Sequence, residues 1–340
     1  MSDSEIINPE GNSLKAGLTK ELLTEAIEKS GHPLQSAIFE LLSSEFSVQQ
    51  EWGFRDRITG DMRSCDLLAT KTLASPPSEE SRIRTSLAVL IECKQSDMPY
   101  VFFSPSTPPW RLVLPQVTGL RHDQVKISTD DSHSSWTFPV MKALEMTNDP
   151  FLNRVGFSIM SKCARKGSKL ELSGTDAYSS VVMPLISAAT HFSTSSAPID
   201  TWHWFDVHLL YAVAVIDAPM IAARTTESGT ELEFTPWGRI FRHEPEPPGS
   251  FMQYTGRTAA IDVVHKDFFR EYLLSHLIPF AAKFSERAIK HNQVLASGAG
   301  FAEGMGANGS DNIEGRLQPM KLIPRTSRRR PRRSQNVGRA

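Results

Sequence analysis

Cysteine is scarce in this 340-residue chain, which has three. Three thiols cannot build a disulfide framework, so the sequence reads as a reduced, cytoplasmic protein. Long apolar runs are missing as well. The best stretch, residues 209–223, is broken by Asp217 and Pro219, which excludes a transmembrane helix and gives no membrane partner. The first residues, MSDSEIINPEG, are polar and acidic and offer no apolar signal region. No nucleotide-hydrolysis motif and no internal repeat occur, so any motor would be a separate chain. Charge of one sign is also lacking, with a net charge of −1 over the whole chain.

That balance conceals an asymmetry. The last 20 residues carry eight Lys and Arg and no acids, which leaves a net charge of −9 on the rest. The body is acidic and the tail basic. Arg328, Arg329, Arg330, Arg332 and Arg333 are therefore candidate contacts to nucleic-acid phosphates. A tail bound to another acidic surface, or folded back on the body, is the competing reading. Apolar residues make up 40% and charged residues 22%, so a sizeable core can be buried and wholesale disorder is excluded.

Periodicity divides the chain into three regions. Residues 1–18 read as a flexible leader. Residues 19–295 read as one α/β domain. Residues 296–340 read as a disordered Gly-rich linker, with six glycines from Ser297 to Gly315, followed by the basic tail. Within the domain, Thr19 to Phe46 has helical spacing, interrupted near Gly31-His32-Pro33. Strand patterns follow at 47–54, 63–73 and 86–95, and Leu87–Ile91 is continuously apolar, as in a strand covered on both faces. Residues 98–172 read as an insertion, with a short helix expected near Leu114–Val125 and a strand at 155–161. A helix over 176–192, which Pro184 would kink, and a strand over 207–216 come next. Shorter strands and a long amphipathic helix over 266–291 close the domain.

The informative residues are charges placed inside buried-strand patterns: Asp66 in Arg63-Ser-Cys-Asp66-Leu-Leu, and Glu92 and Lys94 in Leu90-Ile-Glu92-Cys93-Lys94. Burying an unpaired carboxylate costs several kcal/mol, so such groups have a partner or a metal. Alternation along a strand points Glu92 and Lys94 to one face and Cys93 to the other. If the two strands are neighbours, Asp66 joins Glu92 and Lys94. Two carboxylates with a main-chain carbonyl form a hard-oxygen site suited to Mg2+ or Mn2+. A lysine beside it could orient or deprotonate a water, or stabilise developing negative charge. Of 14 lysines, only Lys94 has an acid two residues before it. The plain alternative is a Glu92–Lys94 surface pair at a strand end, with Asp66 exposed.

The order helix, three strands, helix, strand, with Asp on the second strand and Glu-x-Lys on the third, resembles the PD-(D/E)XK phosphodiesterase superfamily, which includes restriction endonucleases. The resemblance covers residues 19–96 and, more loosely, 176–216. It implies a restriction-endonuclease-like core of helix, three-stranded meander, helix and strand, here with additional strands and a long C-terminal helix. It also implies metal ligation by Asp66, Glu92 and the Cys93 carbonyl, catalysis with Lys94, and a metal-dependent nuclease acting on DNA in defence or repair. Glu40, in Ile38-Phe39-Glu40, matches the acid that many members carry on the leading helix, and Gln50 and Glu51 are further additions. The proline of the family name is absent, with Cys65 before Asp66. Double-strand cleavage with one site per chain would call for a homodimer, and a separate partner chain is compatible with the same reading. The rival is a non-catalytic nucleic-acid- or protein-binding module on the same fold, favoured by the acidic body. A third reading, an α/β enzyme of small molecules, would need a deep pocket away from these residues.

Other features have structural readings. The aromatic run 97–103 reads as an edge strand or core cap rather than a base-stacking platform. Cys65 and Cys93 are expected on the core-facing side, opposite the acids. Trp202 to His208 reads as an aromatic lip and not a zinc site. Asp262 would either support the site or pair with an arginine.

Overall fold

The computed structural model describes residues 7–56, 59–74, 82–103, 116–128, 135–152, 156–157, 159–199, 204–244, 257–302 and 316–320. It opens with α1 (Lys20–Glu28), whose start is capped by the Thr19 hydroxyl accepting from the Leu22 N–H. Gly31, at φ +80°, makes the break before α2 (His32–Ser43). Here α2 buries Leu34, Ile38 and Leu42, whereas α1 buries nothing. The meander β1 (Ser47–Arg55), β2 (Met62–Ala74) and β3 (Ile83–Gln95) follows the expected bounds to within one residue, except that β3 starts three residues early.

The expected insertion is built as β4 (Tyr100–Phe103), β5 (Gln116–Thr118), β6 (Gln124–Ser128), β7 (Ser135–Pro139), α3 (Val140–Ala143), β8 (Gly156–Phe157), β9 (Ile159–Lys166) and β10 (Lys169–Ser173). The helix expected near 114–125 is thus, in its described part, two strands joined by an irregular bend at 119–123. Val117 and Val125 each sit in a β-ladder, one against β11 (Phe205–Asp217) and one against β7. Before β11 come α4 (Gly174–Ala177), a π-helical turn (Tyr178–Val182) and α5 (Met183–Ser195). After it come β12 (Met220–Thr226), β13 (Gly229–Phe234), β14 (Trp237–Glu244) and β15 (Arg257–His265). Next is α6 (Lys266–Glu271), then a second π-helical turn (Tyr272–Leu277) and α7 (Ile278–Lys290). Each π turn stands just ahead of a proline, Pro184 or Pro279. A proline has no N–H for the preceding turn and crowds the carbonyl four residues back, and the wider turn accommodates both.

The chain continues past the expected end of the domain. α8 (Asn292–Ser297) leads into β16 (Ala299–Ala302), and β17 (Leu317–Pro319) pairs with it. These strands fall in the supposed linker, where glycine allows close approach: a Cβ at Gly300 would stand 3.0 Å from Leu317 and 3.1 Å from Val294, closer than an ordinary contact.

One large sheet carries the order β1-β2-β3-β11-β15-β14-β8, with β5 added on β11. Within it β3, β11 and β15 are parallel, β1 and β2 run antiparallel to their neighbours, and β14 is antiparallel to β15 but parallel to β8. α2 and α6–α7 cover one face, and α4–α5 cover the other. Being covered twice, Leu87, Ala88, Val89, Leu90 and Ile91 are all 0% exposed. Burial of this kind stabilises by about 1.5–3 kcal/mol per large side chain. A second sheet, β10-β9-β4-β12-β13, stands where β3 and β11 end. A third has the order β17-β16-β6-β7. Among the described residues, no helix is long and apolar enough to cross a membrane.

Candidate functional site

The site forms where the pairing of β2 with β3 stops. The ladder ends at Leu67–Ile91, and the last residues of β3 run on without a β2 partner. Asp66 fills the gap: its Oδ2 accepts a 2.7 Å hydrogen bond from the Cys93 N–H. In an extended strand the N–H and C=O of one residue leave by the same edge, so the Cys93 carbonyl also faces β2. Alternation along β3 sends Cys93 into the core under α2 and α7, and Glu92 and Lys94 to the α4–α5 side. Asp66, Glu92 and Lys94 therefore share one site, as the sequence predicted.

Glu92 and Lys94 form an ion pair, Oε1 to Nζ at 2.5 Å, with side chains 8% and 27% exposed. Burial raises the Glu92 pKa, and the Lys94 ammonium pulls the other way. Its second oxygen, Oε2, is sealed from solvent with no hydrogen-bond partner, although the Asp66 backbone N–H is near enough to favour the charged form. Asp66 is half-buried. Burial raises its pKa too, against the Cys93 N–H and Lys94. Burial alone would lower the Lys94 pKa, but the adjacent Glu92 carboxylate outweighs it and the net shift is upward. Lys94 is an ammonium at neutral pH, suited to holding charge and not to taking a proton.

Two further residues complete the cluster. Glu51 on β1 stands opposite Asp66 in the register set by Gln50–Leu67 and Trp52–Cys65. Its carboxylate accepts from Gln35 Nε2 at 3.0 Å and Ser64 Oγ at 2.9 Å, and these bonds lower its pKa. Its backbone is left-handed at φ +48°, a strained conformation for a residue with a side chain. Gln35 is buried on α2 and also donates to the Asp66 carbonyl at 3.1 Å. Gln35, rather than Glu40, is the contribution of the leading helix. Glu40 is exposed, about 140° around the helix from Gln35, and does not join the cluster. Gln50 is exposed as well.

The cysteines divide between the two faces. Cys65 lies beside Glu92 in the α4–α5 core and not opposite it, because β2 is irregular at Asp66. Its thiol donates to the Ile91 carbonyl at 3.2 Å, and burial pushes its pKa far up, so it is an inert packing group. Asp262 pairs with an arginine: Arg239 binds it through two bonds of 2.6 and 2.8 Å, deep in the core. β4 is an interior strand, not an edge, and Tyr100 and Phe102 are buried and closed to base stacking. His208 bonds to Ser86 Oγ at 2.6 Å. Trp202, His203 and the arginines from Arg328 to Arg333 lie outside the described residues.

A cleft of about 650 Å³ opens at the C-terminal ends of β3, β11 and β15, between Gln95, Asp217, Phe234 and Lys266. Asp66, Glu92 and Lys94 are not in its walls. Among the described residues, no group of three or more His, Cys, Asp or Glu side chains has metal-binding geometry. The oxygens gathered here are the Asp66 and Glu92 carboxylates and the Cys93 carbonyl, donors of the hard-oxygen kind that Mg2+ and Mn2+ take. No family model matches this chain, and no curated protein or solved structure matches it.

Proposed function

We propose that this protein is a metal-dependent phosphodiesterase that hydrolyses nucleic acid, with DNA as its substrate and Mg2+ or Mn2+ as its cation. The observation that carries the reading is Glu92 Oε2, a carboxylate oxygen buried without a hydrogen-bond partner, beside Asp66 and Lys94. Such an oxygen is costly unless something positive meets it. The order α2, β1–β3, α4–α5 and β11 also follows the helix, meander, helix and strand of the restriction-endonuclease-like core. Asp66, Glu92 and the Cys93 carbonyl would hold the cation, which supplies Lewis acidity and lowers the pKa of a bound water. Lys94 stabilises the charge that develops on the phosphoryl oxygens. Gln35 on α2, itself held by Glu51, braces the Asp66 backbone through its carbonyl.

The test is cleavage of plasmid and single-stranded DNA with Mg2+ or Mn2+. Lys94→Ala and Asp66→Ala are each expected to reduce cutting by about 100-fold or more. Cutting that survives both substitutions would overturn the site. Binding of DNA without cutting by the wild type would favour the non-catalytic module built on the same fold.

A further inference from the structure

Hydrolysis needs a group that takes a proton from the attacking water, and the charged side chains described above are all committed. Lys94 is an ammonium paired with Glu92 Oε1. The other Glu92 oxygen is sealed from solvent, and Asp66 Oδ2 accepts from the Cys93 N–H. Both Glu51 oxygens accept hydrogen bonds, Oε1 from Gln35 and Oε2 from Ser64. A carboxylate held in this way is a weak base.

His32 is the first residue of α2, one turn before Gln35 on the same side of the helix. Its side chain is exposed, and its Nδ1 lies 3.4 Å from Gln35 Oε1. The rest of the network fixes the direction of that bond. The Asp66 carbonyl and the Glu51 carboxylate can only accept, so the Gln35 atom that meets both, at 3.1 and 3.0 Å, is its amide nitrogen. The other Gln35 atom is then the oxygen, and His32 Nδ1 carries the proton that it accepts. In a neutral imidazole this leaves the lone pair on Nε2.

One amide thus links the ring to Asp66 and Glu51, and a charge on His32 acts on both carboxylates. Lys94 comes from the opposite face of the sheet and also acts on both. The two faces therefore meet at the gap where β2 leaves β3.

We propose that His32 is the general base of this site and that Gln35 is its positioning residue. The proposal rests on the phosphodiesterase reading of the same residues. As the water oxygen bonds to phosphorus, one water proton passes to His32 Nε2. The P–O bond to the leaving nucleotide breaks, that oxygen takes a proton from solvent water, and His32 returns its own proton to solvent.

Plasmid cleavage with Mg2+ or Mn2+ tests it, alongside DNA binding in EDTA followed by fluorescence anisotropy. His32→Ala is expected to lower kcat at least about 100-fold, with DNA affinity and circular dichroism unchanged. His32→Asn can still donate to Gln35 but cannot take the proton, and should be as impaired. Free imidazole should raise cutting by His32→Ala at least about tenfold and leave Lys94→Ala inactive. A His32→Asn variant that cuts like wild type would overturn the proposal, as would a His32→Ala variant that imidazole does not rescue. If His32→Ala cuts normally while Lys94→Ala and Asp66→Ala do not, the base is elsewhere and the nuclease reading stands. A wild type that never cuts overturns both.

Discussion

Glu92 stores an electrostatic cost that a neutral residue would not. Its pKa is raised by burial, so the folded state holds a proton more tightly than the unfolded chain does. The sign follows directly. The group favours folding below the ordinary carboxylate range, and that contribution is lost as pH rises through the folded value. Glu92→Gln removes the penalty while keeping an oxygen to accept from Lys94. The variant is expected to lose cleavage and to melt about 2 °C higher than wild type at pH 7. Its advantage should shrink as the pH falls toward 4, as thermal melts at several pH values would show. A constant difference across that range would mean that Glu92 is not the source.

At the scale of elements, the strongest polar tie joins β14, β15 and the helix after them. Arg239 donates to Asp262 and to the Phe151 carbonyl, and the Tyr272 hydroxyl donates to Asp262 at 2.8 Å. Asp262→Ala leaves a buried guanidinium without its partner. It is expected to cost about 3–5 kcal/mol in urea unfolding, and the pair Arg239→Met with Asp262→Leu much less. Elements also show why some features could be read from sequence and others not. The meander and Glu92-Cys93-Lys94 were readable because alternation and the apolar run of β3 are local patterns. Gln35 left only a faint trace, a polar residue beside Leu34 on the apolar stripe of α2. The strand near 117 could not be recognised, since its partner β11 comes some 90 residues later, and the strand near 125 has only the nearby β7 on one side, its other partner β16 coming some 170 residues later. Glu40 was misplaced because helical position was judged by its border on the apolar face, not by the strand across from it. The irregularity of β2 at Asp66, which reverses Cys65, has no signature in residue type.

At the scale of the whole molecule, the late strands close the third sheet. Gly298, at φ +66°, turns the chain from α8 into β16, and a Cβ there would meet the His122 ring at 2.3 Å. Gly298→Ala is expected to destabilise by about 2 kcal/mol, from strain and overlap together, measured as a lower urea midpoint. An unchanged midpoint would show that β16 contributes little to the fold. The same long-range closure governs the life of the chain before it is complete. β3 is synthesised early, yet its neighbour β11 begins only at Phe205. At ordinary synthesis rates of about 5–20 residues per second, the most apolar strand waits several seconds on the ribosome with one edge bare. During that interval an emerging chain is vulnerable to its neighbours on the same message, and a chaperone that shields residues 83–95 would raise the yield of folded protein.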